Sequence, residues 1–347
     1  MSALYPTDVQ RRGNGIDLSD TGSRKWGPSL GVRPDCGVPL PPAGTALRVM
    51  FVGQRTYFEL CSQRRASPAI EPTFVDFRSG ADAVVLRQRI DAVRPHVVVV
   101  FRPELIPEGL FDDLRALTLG VLTEPLPRVG DQHHPDLLRR LQDLAAVSAH
   151  DFDRVVSFDP LIMETAARYL PVWRAVPLPV ADEVFGWTPA MSVPPKLLFI
   201  GRTTDHRAEY LTPLKHLHDL LHIEHGVFGD DFIRMARSSC DVAVNLHNEA
   251  YPSFENRVCL HLAAGHLVVS EALSPRHGLE PSIDFIEISD PQDLLEVVGR
   301  VGRNPRAVEL IRWRGRLKAE SFRASSVWSR IVHDMLLDVA AVGGRQR

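Results

Sequence analysis

The stretch Lys196-Leu-Leu-Phe-Ile-Gly-Arg-Thr-Thr-Asp-His-Arg207 sets the architecture of this chain. An apolar run ends at Gly201, Arg202 follows at once, and Arg207 stands where the next helix opens. Such a run closed by glycine is the pattern of a buried parallel strand. The turn after it is where open α/β sheets hold their ligands. The same logic occurs earlier in Arg48-Val-Met-Phe-Val-Gly53, followed by Gln54 and Arg55. Two copies of one strand–glycine–polar signature imply two βα series.

Outward from these two strands the pattern alternates. In the first half, strands are expected at 73–77, 96–101, 119–123, 154–157 and 172–177. Helices are expected at 81–93, 107–117 and 134–146, with Asp159 capping another that runs to about Tyr169. The run HVVVVF at 96–101 has the continuous β-branched character of a strand covered on both faces. In the second half, strands are expected at 221–224, 242–246, 267–270 and 285–288, and helices at 207–218, 230–238, 254–264 and 290–301. Two long helical stretches, 305–321 and 326–341, close the chain. The alternation predicts parallel βαβ units in two Rossmann-like halves facing a cleft. The proline-rich segment 177–195 links them. Residues 326–341 keep an apolar stripe (Val327, Ile331, Met335, Leu336, Val339) that predicts a helix crossing back to the first half.

The expected division is an N-terminal arm over 1–45, a first domain over 46–185, a second over 190–320 and the returning helix over 321–342. The arm holds six prolines and seven glycines with little apolar periodicity. At the other end, Arg345 reads as part of a polar tail.

Composition excludes several classes. Hydrophobic residues are 44% and charged residues 24% of the 347, which is globular. The formal net charge of −3 argues against nucleic-acid binding by bulk charge. Of 40 basic residues only four are lysines (Lys25, Lys196, Lys215, Lys318). That bias reads either as genome composition or as a use of arginine forks on phosphate. Cys36, Cys61, Cys240 and Cys259 form no CxxC pair, so a zinc knuckle and a disulfide framework are both unexpected. They read as reduced thiols in a cytoplasmic protein. No apolar run reaches bilayer length and no signal peptide is expected, so membrane association is confined to peripheral contact.

Two further segments narrow the reading. Asp241-Val-Ala-Val-Asn-Leu-His247 is a strand ending in Asn and His. Pro252-Ser-Phe-Glu-Asn-Arg-Val-Cys-Leu-His-Leu-Ala-Ala-Gly-His-Leu-Val-Val-Ser-Glu271 follows it. Together they resemble the donor-binding region of GT-B glycosyltransferases, nearest the CgeB-type (spore-protein-like) group. In that group an N-[LI]-H strand end precedes P-S-x-R-x-[FV]-E-x-x-A-x-G, then a strand and an acidic residue. Asn245, His247, Pro252, Ser253, Arg257, Ala263, Gly265 and Glu271 match that pattern. The linker Pro177-Leu-Pro-Val-Ala-Asp-Glu-Val-Phe185 is similar to the P-x-[GA]-x-D-x-x-x-F segment joining the halves of these enzymes. The resemblance spans about 46–340 and is specific over 196–290. Leu260 departs from it, standing where the family carries a glutamate that accepts from the nucleotide ribose. Either Glu255 or Asn256 takes that task, or the donor site is altered.

The resemblance implies a nucleoside diphosphate sugar donor, an unknown acceptor (glycan, lipid, protein or small molecule), no cofactor, no metal and no nucleic acid. Retention of configuration is implied by the family alone. The expected catalytic set is Glu255, Arg202, Arg207 and, from the first half, Glu124. The expected donor-binding set is Gly201, His225, Gly226, Asn245, His247, Ser253, Asn256, Arg257 and Glu271. Arg202 and Arg207 would neutralise the leaving diphosphate beside a helix N-terminus. His225-Gly226 would approach the base. Each has a plainer reading: surface arginines, turn residues, helix-capping carboxylates, and a structural His247. His261, mid-helix among apolar residues, reads as packing. No HExxH pattern occurs, and Asp151-Phe-Asp153 precedes rather than follows its strand, so no metal is expected. The alternatives are a GT-B-shaped binding or scaffold protein without turnover and, more remotely, a nucleotide-sugar epimerase or phosphorylase.

Overall fold

The computed structural model describes residues 35–78, 80–129, 134–186 and 190–345. Most of the expected arm, residues 1–34, therefore lies outside the described residues, as do His133 and Pro189. Within 35–45, Cys36 is buried and joins the main core.

The first half runs β1 (Leu47–Gly53), α1 (Arg55–Phe58), β2 (Ile70–Asp76), α2 (Ala83–Val93), β3 (Val97–Phe101), β4 (Leu117–Leu122), α3 (Pro135–Ala145), β5 (Arg154–Ser157), α4 (Met163–Ala166) and β6 (Val172–Ala175). Its six strands are parallel in the order β2-β1-β3-β4-β5-β6. Every residue of β3 is buried, as its unbroken β-branched run requires. Asp82 starts α2 by accepting from the Val84 N–H at 2.8 Å.

The second half runs β7 (Leu197–Ile200), α5 (Asp205–Leu217), β8 (Leu220–Ile223), α6 (Gly229–Ser239), β9 (Val242–Asn245), α7 (Asn256–Ala264), β10 (Leu267–Glu271), β11 (Ile286–Ile288), α8 (Pro291–Arg303) and α9 (Glu309–Lys318). Its five strands are parallel in the order β11-β10-β9-β7-β8. Both sheets place their second strand on one side of the first and their third on the other. Strand order thus reverses between β1 and β3, and again between β7 and β9. Crevices at such reversals, outside the carboxyl ends of the strands, are the ligand sites of doubly wound sheets.

Two expectations fail here. Residues 107–117 form turns, not a helix, because Gly109 takes φ +79° and Leu117 already belongs to β4. Arg345 is no loose tail residue. Its guanidinium donates to the carbonyls of Phe111 and Leu114 (2.5 and 2.7 Å) and pairs with Asp153 at 3.5 Å.

The last helix, α10 (Ala324–Val342), crosses back to the first sheet. Trp328 packs edge-on against Phe51 and Phe101 and donates its indole N–H to the Cys61 carbonyl at 2.9 Å. Arg154 and Arg174 pair with Asp338 and Asp334 on its outer side. One apolar core runs from β1 through Val176–Val184 to α7 and α10. Each fully buried large apolar side chain in it contributes about 1.5–3 kcal/mol over exposure. Side chains also tie the halves directly: Arg128 donates to Ser274, and Tyr251 donates to Asp136 at 3.1 Å.

Candidate functional site

The site is built at the reversal between β7 and β9. Gly201 follows β7 and is held on both sides: its N–H donates to the Ile223 carbonyl (2.9 Å) and its carbonyl accepts from His222 Nε2 (2.8 Å). Two guanidinium groups crowd its open face. A β-carbon there would lie 2.9 Å from Arg257 Nη1 and 3.3 Å from Arg207 Nη1.

Arg257, in the first turn of α7, ties the two strand ends together. It donates to the Ile200 carbonyl (2.7 Å), to Asn245 Oδ1 (2.8 Å) and to the Leu246 carbonyl (2.9 Å). Asn245 is fixed in turn by donating to Ser270 Oγ at 2.8 Å. Arg207 is buried, with donors on the carbonyls of Leu246, His247 and Arg202. It does not open its helix. Asp205 does, and Thr204 caps it by accepting from the Arg207 N–H. The sequence signal was present in Thr204, a good cap residue two places before the histidine. The Phe199 ring lies 5.5 Å from both guanidinium carbons.

Burial, and then the neighbouring Arg257, lowers the Arg207 guanidinium to about 10, so it stays cationic at neutral pH. Glu255 is the counter-charge, 3.4 Å from Arg257 and 3.6 Å from Arg207. Burial works to raise its carboxyl, but the Arg257, Arg207 and Arg140 charges outweigh that and hold it below the usual range. Glu255 is therefore a fixed anion and not a proton carrier poised near pH 7. Two arginines thus meet one directly paired carboxylate at the strand ends, and the Glu271 and Glu249 carboxylates act on Arg207 from further off. Arg202 adds a third, an exposed side chain with no ion-pair partner among the described residues.

Behind this layer lies a second one. The His247 N–H donates to Glu271 Oε2 at 2.6 Å, and Glu271 Oε1 contacts His206 Nε2 at 2.8 Å. His247 Nε2 faces the Ala272 carbonyl (2.9 Å), which can only accept, so Nε2 carries the proton. Nδ1 is then the acceptor for the Ser253 hydroxyl at 3.0 Å. Burial keeps the imidazole below its ordinary pKa, hence neutral. Both ring nitrogens are spent inside the protein, so His247 shapes the loop.

The structure thus brings Gly201, Arg207, Asn245, His247, Ser253, Glu255, Arg257 and Glu271 into one network. Other expected residues stand apart. His225 and Gly226 sit on an exposed loop, with open space around Gly226 at φ +88°. Asn256 donates to the Tyr57 carbonyl of the first half at 3.0 Å. Leu260 is buried in the core. Glu124 pairs with Arg140 and lies 3.6 Å from Arg102; its link to Glu255 runs through the Arg140 charge. Sequence reasoning missed His206, His222, Tyr251 and Arg140. The two histidines sit one residue from features it did use, but nothing in their spacing announces a partner. A cavity of about 350 Å³ lies elsewhere, among Glu59, Gln63, Arg64, Phe74, Glu183 and Asp230, and includes none of the expected site residues. Among the described residues, no helix is long and apolar enough to cross a membrane.

No protein-family model matches the chain, and no curated protein matches it by sequence. Solved structures do match it in three dimensions. Anabaena HepE in complex with UDP and glucose aligns at TM-score 0.55 and 9% identity, over 83% of this chain and 99% of that one. Sucrose-phosphate synthase from Thermosynechococcus elongatus aligns at TM-score 0.55 and 10% identity, over 84% and 89%. A variant of S. aureus TarM in complex with fondaparinux, α-GlcNAc-glycerol and UDP aligns at 0.51 and 10%, over 73% and 58%. The chain has the GT-B fold. In GT-B terms, the arginine network occupies the carboxyl edge of the second sheet, and α10 is the helix that returns to the first.

Proposed function

We propose that this chain is a glycosyltransferase that moves a sugar from a nucleoside diphosphate donor to a hydroxyl acceptor. One observation carries the reading: Arg207 and Arg257 converge on a glycine at the strand reversal, beside the exposed Arg202 side chain, which has no ion-pair partner among the described residues. HepE, which shares the fold, was solved with UDP and glucose, and that supports a uridine nucleotide as the first donor to try.

In this reading residues 46–185 carry the acceptor and 190–320 the donor, with 321–342 as the tie between them. The diphosphate lies over Gly201, within reach of Arg202 and the N-terminal turn of α7. Arg202 makes direct contact. Arg257 and Arg207, held by backbone carbonyls, supply a preorganised positive field that stabilises charge on the departing diphosphate. Their rigidity matters, because no reorganisation is then needed as the glycosidic bond breaks. Glu255 accepts from a donor hydroxyl. The exposed His225-Gly226 loop approaches the base. Glu124, beside Arg140, contacts the acceptor. Transfer is retaining, hexosyl and independent of a divalent cation, as in the CgeB-type group, in a cytoplasmic setting.

The test is release of nucleoside diphosphate from a panel of UDP-, GDP- and TDP-sugars, with and without chelator, in the presence of simple glycoside acceptors. Release that survives chelation supports the proposal. Release that needs added manganese removes metal independence. A second reading, donor binding without turnover, is favoured by Leu260 facing the core and by Asn256 being committed to Tyr57. It predicts nucleotide binding with no release for any pairing.

A further inference from the structure

Cys240, His261 and His266 bring metal-ligating atoms within 4.8 Å of one another inside the second half. They come from three places: the C-cap of α6, the second turn of α7 and the turn before β10. All three are buried, at 5%, 1% and 0% exposure. The Nδ1 atoms of the two histidines face each other at 2.9 Å. His266 Nε2 lies 2.9 Å from the Ala236 carbonyl and must donate to it, so His266 Nδ1 is bare. The single proton between the rings then sits on His261 Nδ1. That leaves the lone pair of His261 Nε2 buried without a partner. The Cys240 thiol makes no hydrogen bond among the described residues. An idle thiol beside two Nδ1 atoms that share one proton is a buried donor set that ordinary packing does not require.

We propose that Cys240, His261 and His266 bind one closed-shell d10 ion, Zn2+ or Cu+, as a structural centre. One thiolate and two imidazoles select such ions over the oxygen-seeking Mg2+, Mn2+ or Ca2+. On binding, the thiol proton leaves to solvent and the His261 proton moves from Nδ1 to Nε2, so both Nδ1 atoms face the ion; Nε2 has no hydrogen-bond partner among the described residues in either state. The Ala236 carbonyl then does for His266 what carbonyls do behind metal-bound histidines: it fixes the tautomer and the ring plane. Burial already keeps both imidazoles neutral, and so ready to ligate. The charges acting on the cluster are Asp241 and Arg312 and, on His261, Arg257. Arg312 is held on the Gly265 carbonyl (2.7 Å) and on Glu309 (3.0 Å). The ion would pin α6, α7 and the start of β10 together. His261 is one turn beyond Arg257, so the centre steadies the helix that carries the anion site. It is independent of the transfer proposal and reverses the sequence expectation of no metal. His261 and His266 do have the H-x4-H separation of a zinc half-site, but no cysteine pair accompanies them and Cys240 stands 21 residues before His261, so spacing alone did not reveal it.

The test uses the full chain, purified without chelator, with zinc and copper counted per chain. The protein is then stripped and reloaded with Zn2+ alone, with Cu+ alone under reducing conditions, or with Co2+ as a spectroscopic probe. The expected result is one ion per chain, a higher Tm on reloading, and a thiolate-to-cobalt charge-transfer band. Cys240→Ser should lose the stoichiometric ion and the band. Cys259→Ser, a buried cysteine of α7 outside the cluster, should keep both. Retention of zinc or of copper identifies the ion. Folded wild-type protein that carries no metal and takes up none of the three ions overturns the proposal, as does binding unchanged in Cys240→Ser.

Discussion

A β-carbon on Gly201 would stand 2.9 Å from Nη1 of Arg257, which is itself bound to the Ile200 carbonyl at 2.7 Å. Strand end and guanidinium thus exclude each other's growth. Gly201 also takes φ +153°, a conformation side chains rarely adopt. Gly201→Ala should cost about 1–3 kcal/mol in backbone strain. It should also push Arg257 off its carbonyls and weaken nucleotide binding about tenfold. Urea denaturation and calorimetric titration check the two effects, and an alanine variant equal to wild type in both would contradict the packing described.

Arg202 and Arg207 should separate by what each already holds. Arg202→Ala removes an exposed charge with no internal task, so stability should be unchanged while nucleotide affinity falls about ten- to a hundredfold. Arg202→Lys should restore only part of it, since an ammonium lacks the bidentate fork. Arg207→Ala leaves the carbonyls of His247 and Arg202 short of donors, while Leu246 keeps Arg257, and should cost on the order of 3 kcal/mol of stability. If Arg207→Ala is as stable as wild type and Arg202→Ala binds normally, the assignment of roles is inverted.

Much of the fold was legible because buried parallel strands carry their own signature. HVVVVF at 96–101 needs cover on both faces, and the two strand–glycine runs sit where each sheet begins. The failed helix at 107–117 shows the limit: its apolar spacing is helical, but one glycine at positive φ and the demand of β4 for Leu117 outweigh it. At the site, Gly201 was legible as the end of an apolar strand, and Asn245 and Arg257 only through the resemblance to the donor-binding motif. It could not tell which way Arg207 turns, because a residue in a first helical turn faces solvent or strand with equal ease. Nor could it see that Asn256 reaches Tyr57, a contact set by how two halves far apart in sequence pack.

His277 should make stability depend on pH. It packs against the rings of Phe254 and Phe158, its Nε2 has no partner, and burial lowers it to about 4. Above about pH 6.5 it is neutral folded and unfolded alike. As pH falls from there toward 4, the unfolded chain gains a proton that the folded chain refuses. Stability should therefore drop by about 1.4 kcal/mol per pH unit from this group. His277→Asn keeps a residue that tolerates φ +49° but does not titrate, so its denaturation midpoint should fall less steeply. His247 acts in the same direction, and Asp151, raised to about 6 by burial and Asp112, in the opposite one. Both are common to the two proteins and cancel in the comparison. Parallel pH profiles would refute the role of His277.

Trp328 should hold α10 to the first sheet. Trp328→Ala removes its packing on Phe51 and Phe101 and leaves the Cys61 carbonyl without its donor. The expected loss is about 3–5 kcal/mol in urea denaturation. Nucleotide affinity of the folded fraction should be unaltered, since the helix lies against the other sheet. A loss below 1 kcal/mol would mean that α10 is an accessory element.

On the proposed function, the carboxyl edge of the second sheet holds a nucleoside diphosphate through its arginines. The direct measurement is thermal unfolding against UDP, GDP, TDP, ADP and CDP, for wild type and Arg202→Ala. At 100 times its dissociation constant, the right nucleotide should stabilise wild type by about 2.7 kcal/mol, and the same concentration should stabilise the variant by far less. No shift with any of the five, or equal shifts in both proteins, would contradict the account.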